Sequence, residues 1–431
     1  MLGQTLAVGI IEAGVGHSAI YKEVILVYRN SITLYKLFMN PRSNPFAPGA
    51  GNQPPELSGR DDLIERAAIA LDRIRAGKAS RSLVLYGLRG VGKTVLLGKI
   101  RADSEARGII AVRIEAPEDR SLPAILAPAL RTTLLKLDRI GAAKSGAKRA
   151  LSALAGFASR LKLKYGDIEL AMDQEPVAGL ADSGDLDLDL ADLLIAVGEA
   201  AKERDTAVVL FIDELQYVAE PQLAALIGAL HATSQAQLPI TMMAAGLPQL
   251  LGQMGRAKSY AERLFEFVPL QPLDRSAAFA AIRLPIEAEG EAIDADALEN
   301  ILMATKGYPY FLQEWGRHCW DVASKSPITR ADVTDASAVA LSELDASFFR
   351  VRFDRLTPAE KRYLRGMAEL GEGPHRSGDV ARVLDRNVNQ LAPSRASLIS
   401  KGMIFSPGHG DTAFTVPLFD QFLKRIMPAL V

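Results

Sequence analysis

The chain has little of what marks the specialised protein classes. One of its 431 residues is cysteine, Cys319, so neither an intramolecular disulfide nor a cysteine-built metal cluster is available. Its apolar helical neighbourhood, FLQEWGRHCW, reads as the setting of a buried structural thiol. No uninterrupted apolar run approaches the roughly 20 residues of a membrane-spanning helix, so no membrane association is expected. Charge of either sign is nearly balanced at −1, and aromatics make up 6%, against 48% hydrophobic residues. That is the composition of an ordinary globular protein, long enough for two or three domains with full cores. The charge is unevenly placed: from Arg350 onward there are 13 Lys/Arg against 8 Asp/Glu, a net +5, which leaves −6 upstream. Such an asymmetry is compatible with a C-terminal module that faces nucleic acid.

The first 38 residues lack a basic n-region and a small-residue cleavage site, so they do not read as a signal peptide. They also show no turn-bounded strand or capped helix. From Met39 the text changes to MNPRSNPFAPGAGNQPPELSGRDD, which reads as a natural start; residues 1–38 are then an upstream, non-native or disordered extension. A genuine floppy extension is the alternative.

Against this background one stretch stands out. Gly87, Leu88, Arg89, Gly90, Val91, Gly92, Lys93 and Thr94 fit the pattern G-x-x-x-x-G-K-[ST], with Val95 following. The apolar, β-rich run Ser82–Tyr86 precedes it, and Thr94–Arg101 carries apolar residues at helical spacing, so the motif has the strand before and helix after that a phosphate loop requires. Glycines let consecutive N–H groups turn toward phosphates, and the helix N-terminus adds its positive end. Lys93, on this surface loop, would reach the β- and γ-phosphates of ATP, and Thr94 would ligate Mg²⁺. The bland alternative is a glycine-rich strand-to-helix turn.

A phosphate loop needs an acidic partner, and AVVLFIDELQYV supplies it at residues 207–218. Val208–Ile212 reads as a strand buried on both faces, with Asp213 and Glu214 at its C-terminal end, where a parallel sheet opens to its ligand crevice. Asp213 would hold Mg²⁺, and Glu214 would orient or deprotonate the attacking water. Taken alone, the pair equally suits a helix cap. About 120 residues separate the motifs. Arg113–Glu115 is expected to end a second strand, 122–137 and 147–161 to be helices, LKLKYGDIEL to form a hairpin, and 118–190 as a whole to be an insertion with an acidic loop. The block Asp182, Asp185, Asp187, Asp189 lacks the terminal glutamate of an EF-hand and reads as a helix start or solvated loop.

With both halves in view, the chain resembles AAA+-type P-loop ATPases of the clade that holds origin-recognition ATPases and STAND signalling NTPases, over roughly residues 44–417. The resemblance implies an α/β fold: a parallel-sheet ATPase base (39–270), a small α-helical lid (271–350) and a C-terminal winged helix-turn-helix (351–431). The approach to Gly59-Arg60-Asp61 resembles the segment that lies against adenine. LPITMMAAGLP resembles the sensor-1 strand, and YAERLFEF resembles the stretch that carries an arginine finger, which makes Arg263 the finger candidate, acting from a neighbouring subunit. A surface arginine is the alternative. Gly307-x-Pro309 resembles the G-x-P signature of STAND members, which would bring Pro309 and Tyr310 near the nucleotide. Two departures weaken hydrolysis more than binding: Ala244-Ala245-Gly246 offers no polar group at the sensor-1 position, and no sensor-2 arginine follows the G-x-P turn.

At the C-terminus, Thr357, Pro358 and Glu360 announce a helix start, RSGDVARVLD gives a second helix and residues 387–402 a third, and MIFSPGHGDTAFTV alternates like a hairpin. In a winged helix the third helix enters the major groove. Its exposed face would show Asn389, Ser394, Arg395, Ser397 and Lys401, with Arg395 contacting guanine or phosphate and Lys401 the backbone. The leading expectation is a cytoplasmic, slow, Mg²⁺-dependent ATPase switch, binding ATP and ADP, coupled to duplex DNA, and either a homo-oligomer or engaged with a partner protein. The alternative is a STAND-like switch whose winged helix is a docking or autoinhibitory surface.

Overall fold

Buried β-rich runs build the central element. Ser82–Tyr86, Ile110–Glu115, Val208–Asp213, Ile240–Gly246 and Phe265–Pro269 form one five-stranded sheet, all parallel. The structure is a computed structural model that describes residues 8–12, 22–28, 31–35, 39–49, 51–116, 120–139, 146–161, 164–165, 168–169 and 177–430. Across the sheet the order is Phe265–Pro269, Ser82–Tyr86, Ile240–Gly246, Val208–Asp213, Ile110–Glu115. The strand ending in Ala244-Ala245-Gly246 thus lies between the two motif-bearing strands, with Tyr86 opposite Gly246 and Ile212 opposite Ala244. Residues 208–212 are at most 1% exposed, which fits a strand covered on both faces.

The sheet's core continues into the segment between the motifs. Leu122–Arg139 and Gly146–Arg160 place Leu126, Leu130, Leu134, Ala150, Leu154 and Phe157 in the same buried cluster as Val112, Leu210 and Ile212. These two helices thus share the sheet's core. Lys164–Tyr165 and Ile168–Glu169 pair as a short hairpin, and residues 170–176 of the expected acidic loop lie outside the described residues. The aspartate block starts a helix, Leu186–Glu203. Asp185 caps it by accepting from the Asp187 and Leu188 amides, and buried Asp189 accepts from Ser183 and Gly184. Among the described residues these aspartates form no cluster that could hold a metal ion.

The chain forms two compact units, one of residues 1–59 with 272–355 and one of 60–271 with 356–431. The approach segment therefore groups with the helical region and not with the base. There Phe46 packs against Gly316, Asn44 donates to the Arg317 carbonyl at 3.0 Å, and Trp320 Nε1 donates to the Asn40 carbonyl at 2.9 Å. The helices are Arg275–Ala288, Ala295–Thr305, Pro309–Val322 and Arg330–Leu344. The fourth opens on a capping box formed by Thr329 and Asp332. Gly307 has φ of 72°, and a Cβ there would stand 2.4 Å from the Leu273 carbonyl, so this turn needs glycine. Cys319 is fully buried, and burial pushes its thiol up to about 12. Ahead of this unit's helices, Val8–Glu12, Lys22–Tyr28 and Ser31–Tyr35 pair as a separate antiparallel sheet, where the sequence suggested no strand.

In the other unit, residues 356–431 run helix Pro358–Glu369, strand His375–Arg376, helices Ser377–Val383 and Val388–Ser400, then strands Ile404–Phe405 and Asp411–Phe414, the three strands forming one small antiparallel sheet. Helix Phe419–Ile426 follows, with Phe419, Phe422 and Leu423 buried. Arg365 Nε donates to the Met427 carbonyl at 2.6 Å and ties this last helix to the first. Among the described residues no helix is long and apolar enough to cross a membrane.

Candidate active site

The phosphate loop leaves the strand Ser82–Tyr86 at the C-terminal edge of the sheet. A Cβ on Gly87 would lie 2.4 Å from the Leu270 carbonyl, and Gly90 and Gly92 have φ of 82° and 87°, so glycine is required at three of the loop's turns. Gly92 caps the helix Lys93–Ala106, whose N-terminal amides face the crevice. Lys93 is not a surface-loop lysine: it is 7% exposed, and its Nζ donates to the carbonyls of Gly87 and Leu88, each at 2.9 Å. Burial pushes its ammonium down to about 8, opposed by the Glu214 charge, reinforced by Arg89 and opposed again by Asp213. Arg60 Nη2 donates to the carbonyls of Gln271 (2.6 Å) and Val91 (3.4 Å), bracing the loop from the start of the helix Asp61–Arg75.

Asp213 and Glu214 stand where the sequence placed them. The Thr94 hydroxyl hydrogen-bonds the Asp213 carboxylate, and burial is the main cause that raises the Asp213 carboxyl above its ordinary value. A hydroxyl and a carboxylate already in contact are the hard-oxygen pair that suits Mg²⁺, and a desolvated carboxylate is short of positive charge. The residues therefore fit the ion. Glu214 sits in the left-handed region at φ 52°, an uncommon place for a glutamate and one held only by surrounding structure. Gln216 Nε2 donates to Glu214 Oε2, while Arg89 Nη1 lies 3.8 Å from Oε1.

Arg89 also meets the C-terminal segment. Its backbone N–H donates to the Thr415 carbonyl at 2.9 Å, and its Nη2 donates to the Tyr217 hydroxyl at 2.8 Å. Gly402 sits over the same spot: a Cβ there would meet Leu247 Cδ1 at 3.0 Å, Arg89 Nη2 at 3.1 Å and Tyr217 Oη at 3.3 Å. Thr415 Oγ1 in turn donates to the carbonyls of Gly402 (2.5 Å) and Met403 (3.0 Å), which ties the two contact points together. Nothing in the sequence marked this contact, because it joins loops more than 300 residues apart.

The remaining candidates lie in other elements. Arg263 is exposed in the short helix Ala261–Leu264, just ahead of Phe265, which pairs with Ser82 at the start of the phosphate-loop strand. It lies at the sheet end opposite Gly87. Pro309 opens its helix; the Tyr310 hydroxyl donates to Glu314 Oε1 at 2.9 Å and its ring stacks on Phe348 at 4.8 Å, all inside the helical unit. Gly59, with φ of 70°, packs against Ala277 there.

The expected DNA face needs correction. Arg395 does not project outward: it donates to Thr412 Oγ1 (3.0 Å), Ser406 Oγ (3.0 Å) and the Asp411 carbonyl (2.9 Å), pinning its helix to the hairpin. Ser397 and Lys401 turn toward the first helix, donating to Glu360 at 2.6 and 2.8 Å. Ser394 is half-buried, and only Asn389 is exposed, beside Ala392, Pro393 and Ala396. Burial alone would raise the carboxyl of Glu360, yet the hydrogen bonds from Lys401, Ser397 and Thr357 hold it down at about 2. The folded value lies below the unfolded one, so this stabilisation is complete above about pH 4.5 and is lost as the pH falls toward 2. Glu360→Gln should remove about 2–3 kcal/mol of it at neutral pH and flatten the acid limb of an unfolding-versus-pH curve. An unchanged acid limb would contradict the network's role.

Residues 56–243 match the family described as AAA ATPase domain, and residues 346–423 match a domain of unknown function (DUF8462). No curated protein matches the chain. Among solved structures it is similar to a Walker-type ATPase of Pyrococcus abyssi, at 15% identity and TM-score 0.54, covering 86% of this chain and 97% of that one. Looser likenesses are the Aeropyrum pernix Orc1 protein in complex with DNA (13% identity, TM-score 0.43, 86% and 94% covered) and the Thermotoga maritima RuvB Holliday junction branch migration motor (15%, 0.41, 87% and 99%). The fold is that of the Walker-type ATPase, and the match to the AAA ATPase domain model lies over the phosphate loop and the acidic pair.

Proposed function

We propose that this chain is a slow, Mg²⁺-dependent ATPase that works as a nucleotide-operated switch, with its C-terminal module acting as a brake docked on the phosphate loop. The observation that carries the reading is the Arg89–Thr415 hydrogen bond at 2.9 Å together with the seat of Gly402 on Arg89, Tyr217 and Leu247. Thr94 and Asp213 would hold Mg²⁺, which neutralises charge between the β- and γ-phosphates when bound. Lys93 would leave the carbonyls of Gly87 and Leu88 for the phosphates, and Glu214 would take the proton of the attacking water. In the docked state Arg89 stands against Glu214, so release of the module would free both the loop and the base. The helix and strand order of residues 358–414 supports a winged helix-turn-helix, used here as a docking surface.

A wedge at the contact tests this. Gly402→Gln should lift the module and raise ATP turnover several-fold, read as phosphate release. Turnover that falls would make the docked module part of the working site, and unchanged turnover would remove the brake.

A reading in which the module binds duplex DNA is favoured by a different observation: Arg376, Arg382 and Arg386 are exposed along the segment that precedes the helix Val388–Ser400. Phosphate contacts by these arginines would give an affinity that falls linearly with log salt. If no duplex binds the parent more tightly than about 10⁻⁴ M at physiological salt, that reading fails. For Arg263, its position at the far sheet end leaves action across a subunit interface. Mixing Arg263→Ala and Lys93→Ala chains should then restore part of the lost turnover, and no rescue at any ratio would leave it a surface arginine.

A further inference from the structure

The strand beside the Asp213-Glu214 strand ends in Ala244-Ala245-Gly246, which carries no polar side chain at the end nearest the phosphate loop. The space such a side chain would occupy is nonetheless filled by a polar group. Gln216, 5% exposed in the turn Leu215–Tyr217, accepts the Leu247 N–H on Oε1 at 2.9 Å. A Cβ on Gly246 would stand 2.8 Å from that same Oε1 and 2.7 Å from Leu250 Cδ2. The strand ends in glycine because the carboxamide of Gln216 lies on it. The bond from Leu247 also fixes which way the amide faces: with Oε1 engaged as acceptor, Nε2 is the end that meets Glu214, and it donates to Glu214 Oε2. The Gln216 backbone is held as well, its carbonyl accepting from Gln253 Nε2 at 3.2 Å. Glu214 keeps its second oxygen, Oε1, on the side of the phosphate loop, where Arg89 stands.

We propose that Gln216 is a positioning residue for hydrolysis, linking Glu214 to the end of the neighbouring strand and doing from the Glu214 side what a polar residue at 246 would do from the strand. Its two amide atoms make two directed contacts, and the left-handed backbone of Glu214 gives that side chain no ordinary strand or helix setting to orient it. The inference rests on the ATPase reading above. It adds that the absent strand side chain does not leave the catalytic carboxylate unguided.

The test measures phosphate release, ATP affinity and melting temperature for the parent, Gln216→Met, Gln216→Asn and the double variant Gln216→Ala/Gly246→Ser. Gln216→Met keeps length and apolar packing but loses both polar contacts. Its kcat should fall about tenfold or more, while KM, nucleotide affinity and melting temperature stay near the parent's. Gln216→Asn, one methylene short, should fall between the two. The double variant places a hydroxyl on the strand end and should recover part of the loss. A Gln216→Met chain with the parent's kcat overturns the inference, as does a loss of kcat that tracks a matching loss of affinity and melting temperature. A parent that binds ATP but never releases phosphate instead removes the ATPase reading, and the inference with it, so the two failures are separable.

Discussion

Chains carrying Glu214→Gln should bind ATP as tightly as the parent and release phosphate about 10²–10⁴ times more slowly, the range that a positioned general base contributes. The substitution is nearly isosteric. An amide oxygen at the Oε2 position still accepts from Gln216 Nε2, so the local geometry survives while the basicity is lost. The Arg89–Glu214 ion pair is lost too, but at 3.8 Å and with side chains 20% and 25% exposed it contributes little to folding. Lys93 and Thr94 are untouched, so binding holds. Single-turnover phosphate release with ATP in calorimetrically verified complex is the measurement. Equal rates for variant and parent would leave Glu214 a bystander, and the base would have to be sought elsewhere around the loop.

What was legible in the sequence was whatever is encoded within one element and its immediate neighbours. The phosphate loop, the acidic pair and the strands that carry them were readable because a buried parallel strand is an unbroken apolar run and a phosphate loop is a fixed local pattern. Thr357 and Glu360 marked a helix start for the same reason, and the capping box they form is present. The side-chain directions in the C-terminal module were not readable. In Val388–Ser400 only Leu398 is fully buried, so the apolar spacing gives no face, and Arg395 and Lys401 were placed outward by charge alone. Their partners, Thr412 and Glu360, are distant in sequence. Helix Phe419–Ile426 could have been found, since Phe419, Phe422, Leu423 and Ile426 follow the i, i+3, i+4, i+7 spacing. Gln216 had a faint signal as well: a glutamine two residues past the acidic pair, opposite a strand end without a polar side chain. Arg89 had none beyond its place in the loop, because its contact with Thr415 exists only once both loops are folded.

The second large effect concerns Lys93, and the structure splits it into opposite signs. Lys93→Met should weaken ATP binding by about 10²-fold or more, since two charge-assisted hydrogen bonds to phosphate, at about 1.5–3 kcal/mol each, disappear. The same variant should melt no lower than the parent without nucleotide. The Lys93 ammonium is buried, and its value near 8 in place of 10.5 means that keeping it charged costs up to about 3 kcal/mol at neutral pH. Loss of the donor to Gly87 and Leu88, and of the cation beside Asp213, offsets part of that gain. The pH dependence isolates the term. Between about pH 8 and 10.5 the folded parent holds fewer protons than its unfolded chain, so its stability rises with pH through that window. The Lys93→Met chain lacks this rise. Going from pH 7 to pH 10 should therefore move the parent's melting temperature up relative to the variant's, with the variant ahead or level at pH 7. A variant that melts several degrees below the parent at pH 7, with the gap unchanged at pH 10, would show that Lys93 supports the empty loop as a structural donor. Nucleotide would then bind to a loop that is already set, with no buried charge to draw out.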